Sequence, residues 1–153
     1  MITTVTMNAA LDKAYFMENT IVNGTVMRVA RCHTTAGGKG LNVARAIAIC
    51  GADVQATGLV GGFNGQYLEP GFEVSSEEEQ AFMDKFPEII KESDVITISG
   101  SLPRGISKDI YGKMIVIAKA AGKKVLLDSS GETLKNAIAA GPTLVKPNQD
   151  ERK

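Results

Sequence analysis

Apolar positions along the chain change period again and again, from the two-residue alternation of a strand to the three-to-four-residue spacing of a helix. Residues 2–7 alternate and are rich in β-branched side chains, which predicts a first strand ending at Asn8. Two further strand candidates, residues 15–17 and 26–32, flank the turn signal Asn23-Gly24. From Leu41 to Cys50 the spacing becomes helical, with Leu41, Ala44, Ile47 and Ala48 expected on one inner face, and Gly51 supplies the stop. Residues 53–60 then read as the next buried strand.

The second half repeats the alternation. Ser75 and Ser76 each precede a glutamate by three residues, so two alternative capping boxes open a helix with Phe82 and Phe86 inward. Pro87 is expected to break or restart it. Residues 94–99 predict a strand, and Ser107 is expected to cap a helix whose stripe is Ile110, Met114, Ile117, Ala118 and Ala121, ended by Gly122. A strand over residues 123–128, a helix over 133–140 and a short strand over 143–145 complete the series. Repeated β-loop-α units predict an α/β fold: a mainly parallel, doubly wound sheet with helices on both faces.

Composition narrows the function classes. With 153 residues, 44% of them hydrophobic, the chain can bury one core. Seventeen basic and 17 acidic residues cancel, and no block of like charge suggests a polyanion partner, so nucleic acid is not expected. No apolar run approaches membrane-spanning length and no signal-peptide pattern opens the chain, which predicts a soluble, cytoplasmic protein without a membrane partner. Cys32 and Cys50 have neither metal nor redox spacing and read as buried free thiols. His33, the only histidine, lies in a Thr-rich run that looks like a strand and has no metal-spaced partner, so it reads as structural. The Glu77-Glu78-Glu79 run reads as first-turn acid stabilising a helix dipole.

Candidate chemistry gathers at residues 36–42, Ala-Gly-Gly-Lys-Gly-Leu-Asn. Three glycines in four positions strip side chains from the mouth of the predicted helix, whose first N–H groups lack intrahelical partners. An anion or a set of sugar hydroxyls can approach there, with Lys39 adding charge and Asn42 a donor and an acceptor. The segment is not a P-loop, because His33 and Gly40 stand where that motif needs Gly and Ser or Thr. Nor is it a dinucleotide fingerprint, since Val43 replaces the third glycine. A bare, tight helix entry is the alternative reading of the same residues. Asp12, after the first strand, reads either as a turn or cap aspartate or as a ligand for hydroxyls. The loop Gly100-Ser101-Leu102-Pro103 leaves the carboxyl end of a predicted strand, where open α/β sheets bind ligands. Lys146-Pro147-Asn148 reads as a strand end, a turn and a helix cap.

Residues 36–62, AGGKGLNVARAIAICGADVQATGLVGG, resemble the N-terminal signature of the PfkB (ribokinase-like) carbohydrate kinases. The opening Thr6-Met7-Asn8-Ala9-Ala10-Leu11-Asp12 is similar to the start of the phosphosugar branch, the 1-phosphofructokinases and tagatose-6-phosphate kinases, with Ala9 where proline is usual. The resemblance implies a ribokinase-like sheet with a small β lid, its strands within residues 13–35, closing over the sugar. It implies that Asp12, Gly38, Lys39, Asn42, Gly100 and Ser101 serve the sugar phosphate. Lys146 and Asn148 would sit near the phosphates of ATP, and Glu151 would orient water around Mg²⁺. It also implies that the chain is incomplete. A lid segment is expected to be missing near residues 69–70, and the catalytic aspartate of a Gly-Ala-Gly-Asp motif, with the C-terminal half that carries it, is not in the sequence. A chain of these residues alone is expected to be inactive. Kinases of unphosphorylated sugars or nucleosides share the Gly-Gly-Lys-Gly segment, and a non-catalytic sugar-binding or regulatory module remains the reading from another class. A homodimer through the exposed edges of the lid is the expected assembly.

Overall fold

Short runs rich in Val, Ile and Thr form the centre of the molecule, as their preference for a pleated, buried surface dictates. The structure is a computed structural model and describes residues 1–61 and 72–147. In chain order the elements are β1 (Ile2–Thr6), β2 (Ala10–Phe16), β3 (Arg31–Gly37), α1 (Lys39–Ile49), β4 (Val54–Gly58), α2 (Ser76–Ile89), β5 (Val95–Ser99), α3 (Ile110–Ala120), β6 (Lys124–Asp128), α4 (Gly131–Ile138) and β7 (Leu144–Val145). Strands β4-β1-β5-β6-β7, in that spatial order, make one parallel sheet. Strands β2 and β3 pair antiparallel as a separate ribbon, from Ala10 opposite Gly37 to Phe16 opposite Arg31.

The connections explain why both faces carry helices. From β1 the chain moves outward to β4 through α1; from β4 it crosses back over β1 to β5 through α2 and then continues through α3 and α4. Right-handed crossovers taken in opposite directions put α1 on one face and α2, α3 and α4 on the other. The side chains agree. Val5, Ile96, Ile98, Val125 and Leu127 point into a core with Phe82, Phe86, Ile90, Ile110, Tyr111, Met114 and Leu134. Each fully buried large apolar side chain there contributes roughly 1.5–3 kcal/mol of transfer free energy. On the α1 face the strands present Thr4, Thr6 and Thr97, and Gly40 lies so close to β1 that a Cβ there would collide with the Thr6 hydroxyl and the Val5 carbonyl. The predicted doubly wound parallel sheet is the observed one.

Several expectations are corrected. The ribbon strands are residues 10–16 and 31–37, not 15–17 and 26–32. They pair with each other and leave most side chains in water, so no half-buried alternation marks them; Val26, expected in a strand, is fully exposed. Asp12 therefore lies within β2 rather than after a strand end. β4 is not a buried interior strand: among the described residues it is a half-buried edge with only β1 beside it.

Helix α1 turns toward the sheet through Gly40 and Ala44, both buried, so Ala48 is exposed. Its last turn overhangs the edge, leaving Ile49 and Cys50 exposed; Cys32 is exposed too, so neither thiol is buried. Helix α2 opens with the capping box of Ser75 and Glu78 and runs through Pro87 without a break. A proline this near the end removes one hydrogen bond only, and Phe86 and Ile90, both fully buried, hold the turn on either side. Ser107 does not cap α3: its hydroxyl donates to Asp109, the residue at the cap position, and its carbonyl accepts the Ile110 N–H. Ala121 is exposed, and Tyr111 and Ile115 complete the inner face of α3 instead. The break expected near residues 69–70 lies outside the described residues.

Candidate active site

The carboxyl ends of β1 and β5 adjoin, yet the chain leaves β1 toward α1 on one face and leaves β5 toward α3 on the other. Such a switch point opens a crevice at the end of an α/β sheet. The residues that line it come from the ends of several strands. After β1, the Asn8 amide Nδ2 donates to Ser101 Oγ at 3.1 Å, which ties the two loops across the crevice. After β5, Gly100 has φ 100°, a left-handed conformation that a side chain disfavours. Its N–H donates to the Asp128 carbonyl at 3.0 Å, and its own carbonyl accepts from the Tyr111 phenol and the Ser129 hydroxyl, each at 3.3 Å. Burial pushes the Tyr111 phenol far above its ordinary pKa, so it stays a neutral donor beneath the loop.

The mouth of α1 forms the floor. Gly38 caps the helix at φ 108°, and a Cβ there would meet Thr6 Cγ2 at 3.0 Å and the Asn8 carbonyl at 3.3 Å. Among the described residues no side chain caps the first turn, which leaves its N–H groups and the positive end of the dipole beside Lys39. Gly37 serves a different purpose. The Asp12 carboxyl group lies 2.5 Å from where a Gly37 Cβ would be, so the missing side chain lets this carboxylate fold back over the helix entrance. Asn42 sits one turn in, its Oδ1 accepting from Arg45 Nη1 at 2.7 Å. The amide therefore offers its Nδ2 as the donor to a ligand. Arg45 also donates to the Ala36 carbonyl, joining the end of β3 to α1.

Charge converges on Asp128, the last residue of β6. Its Oδ1 accepts from Lys39 Nζ at 2.7 Å, and its Oδ2 lies 3.5 Å from Lys146 Nζ. Lys39, Gly100 and Lys146 thus come together, with Gly100 so near that a Cβ on it would touch Lys39 Cβ at 3.4 Å. Asp12 and Gly38 gather at the helix mouth, and Ser101 across from Asn8. Asn148 and Glu151 lie outside the described residues. The sequence reading missed Asn8, Asp128, Ser129 and Arg45; for Asp128 the one available signal was an acidic residue at a strand's carboxyl end. Among the described residues, no three His, Cys, Asp or Glu side chains converge as a metal site. No described helix is long and apolar enough to cross a membrane.

The site is an open edge rather than a closed cavity. A concavity of about 720 Å³ between the outer surfaces of α2, α3 and α4 includes none of these residues. Geometry and charge, not volume, mark the crevice.

The pattern of the pfkB family carbohydrate kinases matches residues 5–73 and 71–153. The protein belongs to that family. Phosphofructokinase-2 from Escherichia coli, solved in complex with potassium, superposes with a TM-score of 0.82 at 29% identity, over 98% of this chain and 60% of that one. A Thermotoga maritima protein described as a possible 1-phosphofructokinase gives a TM-score of 0.85 at 24% identity, over 97% of this chain and 60% of that one. Ribokinase from Arabidopsis thaliana, complexed with ribose and ATP, shares the fold at a TM-score of 0.56 and 18% identity, over 98% of this chain and 60% of that one. This pfkB chain therefore spans about 60% of the length of the structures it matches. The switch-point crevice, with its glycine-lined helix mouth and paired lysines, is thus set in a ribokinase-like fold.

Proposed function

We propose that this chain is the sugar-phosphate-binding portion of a kinase that transfers the γ-phosphoryl group of ATP to a hydroxyl of a phosphorylated hexose. Fructose 1-phosphate, fructose 6-phosphate and tagatose 6-phosphate are the candidate substrates. The observation that carries this reading is the meeting of Lys39 and Lys146 on Asp128 at the uncapped mouth of α1. Two ammonium groups and the backbone N–H donors of the helix mouth suit a phosphorylated sugar better than a neutral one. Escherichia coli phosphofructokinase-2 has been solved in complex with fructose-6-phosphate, and its 28% identity over 98% of this chain supports a sugar phosphate here.

Within that reading the residues divide the work. Asp12 and the Asn42 amide hold sugar hydroxyls, Lys39 and the Gly38 backbone take the sugar phosphate, and Gly100 and Ser101 wall the site. Lys146 and Asn148 approach the phosphates of ATP. Glu151 would hold Mg²⁺ through water, and the ion would supply positive charge for the phosphoryl oxygens. The cytoplasm, where ATP is available, is the compartment proposed for this work. The ribbon β2–β3 would close as a lid that keeps water from the nucleotide, and its exposed edges would pair two copies of the protein. The sequence contains no Gly-Ala-Gly-Asp, so these 153 residues alone should bind without transferring phosphate.

Calorimetry against fructose, fructose 1-phosphate, fructose 6-phosphate and tagatose 6-phosphate tests the proposal. At least one phosphorylated sugar should bind about 10-fold or more tighter than fructose, the difference that a charge-assisted hydrogen bond produces. Equal binding of fructose and all three phosphates would overturn it, and Lys39→Ala should remove most of the difference.

A further inference from the structure

Asp128 is in an unusual position for a surface carboxylate. Its side chain is only 18% exposed, while the two lysines that meet it are 42% and 64% exposed. Exposed pairs of this kind contribute little to stability, and withdrawing a carboxylate from water costs free energy that partners left half in solvent do not offset. Its backbone is pinned as well, since the Asp128 carbonyl accepts the Gly100 N–H at 3.0 Å. Lys39 reaches it from 89 residues away in sequence, across the crevice. Nothing local requires the contact.

We propose that Asp128 is a positioning residue shared by Lys39 and Lys146. It holds the two ammonium groups on the two oxygens of one carboxylate, so that a phosphate bound at one lysine is felt at the other. This rests on the kinase reading only for the names of the ligands. Each ammonium has three donors and gives one to Asp128, leaving the others for a ligand. Two positive charges with one shared negative charge leave the trio with a net charge of +1, attractive to an anion. When a phosphate engages the remaining donors of Lys39, the pull of that ammonium on Asp128 weakens and the Lys146 contact tightens. The sugar side and the nucleotide side of the crevice are thereby linked through a single side chain.

The test reads the ammonium groups themselves, in proton–nitrogen spectra of the lysine side chains at low temperature, with Lys39→Arg and Lys146→Arg assigning the signals. An ammonium held by a carboxylate exchanges slowly with water and is visible; a loose one is not. Both signals are expected in the unaltered chain, both should be lost together in Asp128→Asn, and Asp128→Glu should restore the Lys39 signal. Inorganic phosphate titrated into the unaltered chain should move both signals with one midpoint, an observation that needs no variant to fold. The proposal is overturned if Asp128→Asn leaves either signal in place, or if phosphate moves Lys39 and leaves Lys146 unchanged. No turnover enters these measurements. A chain that binds no sugar phosphate but shows the paired response would end the kinase reading and keep the role of Asp128; sugar-phosphate binding with unpaired signals would do the reverse.

Discussion

The parallel sheet and the β2–β3 ribbon use the same hydrogen-bond chemistry but are stabilised differently. In the sheet, β1 and β5 are flanked by strands on both sides and their Val5, Ile96 and Ile98 are completely buried beneath α2 and α3. In the ribbon, Tyr15 and Phe16 are 58% and 45% exposed, and the described contact with a helix is at the other end, where β3 runs into α1. Two strands alone are marginal in water, whereas a sheet closed by a helical layer stands by its own core. The site lies where the two regions meet, with Asp12 from the ribbon and Lys39, Gly100 and Asp128 from the sheet side. A rigid platform and a weakly held cover suit the proposed site, which would have to admit a ligand and then exclude water.

Truncating Phe86 should have the largest effect and would break the comparison if it did not. This side chain is fully buried and packs 6.0 Å, ring centre to ring centre, from Phe82. Phe86→Ala should cost about 3–5 kcal/mol in urea denaturation. Gly40→Ala comes next. Helix propensity alone favours alanine by about 1 kcal/mol, but the added Cβ would run into the Thr6 hydroxyl and the Val5 carbonyl. A net loss of about 1–3 kcal/mol, as for other overpacked sites, and a weaker affinity for phosphate are expected. A stabilised variant would show that α1 is not seated on β1 as described.

Phe16→Ala sharpens the contrast from the ribbon side. Arg31 stacks 4.3 Å from the centre of that ring, an exposed contact contributing no more than about 1 kcal/mol. The denaturation midpoint should therefore barely move, in contrast to Phe86→Ala. The smallest effect is a pH slope at the surface of the packed layer. The Ser107 hydroxyl, with help from Lys113, holds the Asp109 carboxyl below its ordinary range. A depressed carboxylate adds stability above its unfolded pKa and loses it as pH falls through the folded one. Thermal melts from neutral to acid pH should show Asp109→Asn with a shallower acid decline than the unaltered chain.

Much of the platform was legible because its signals are local. The capping box of Ser75 and Glu78, the inward Phe82 and Phe86, and the stops at Gly51 and Gly122 depend on neighbours within a turn or two. Lys39 and Asn42 could be named as candidates from the glycine-rich helix mouth, and Asp12 from its place after the first strand and the family resemblance. The ribbon was not. Its strands have no buried face to impose alternation, so their limits depend on pairing between residues far apart, such as Asp12 with Thr35. The rotation of α1 was hidden for another reason: its closest contact with the sheet is Gly40, a residue that hydrophobic spacing does not count.

The sequence by itself determined which segments become strands or helices in the sheet, their order, and the family to which the chain belongs. Those properties rest on periodicity, capping and a contiguous motif, all within the reach of a few residues. Tertiary structure alone decided that Asn8 meets Ser101 and that Lys39 and Lys146 share Asp128. Parallel strand register and the opposite directions of two crossovers bring those groups together. No local pattern in the chain records a contact that depends on where two distant strands end.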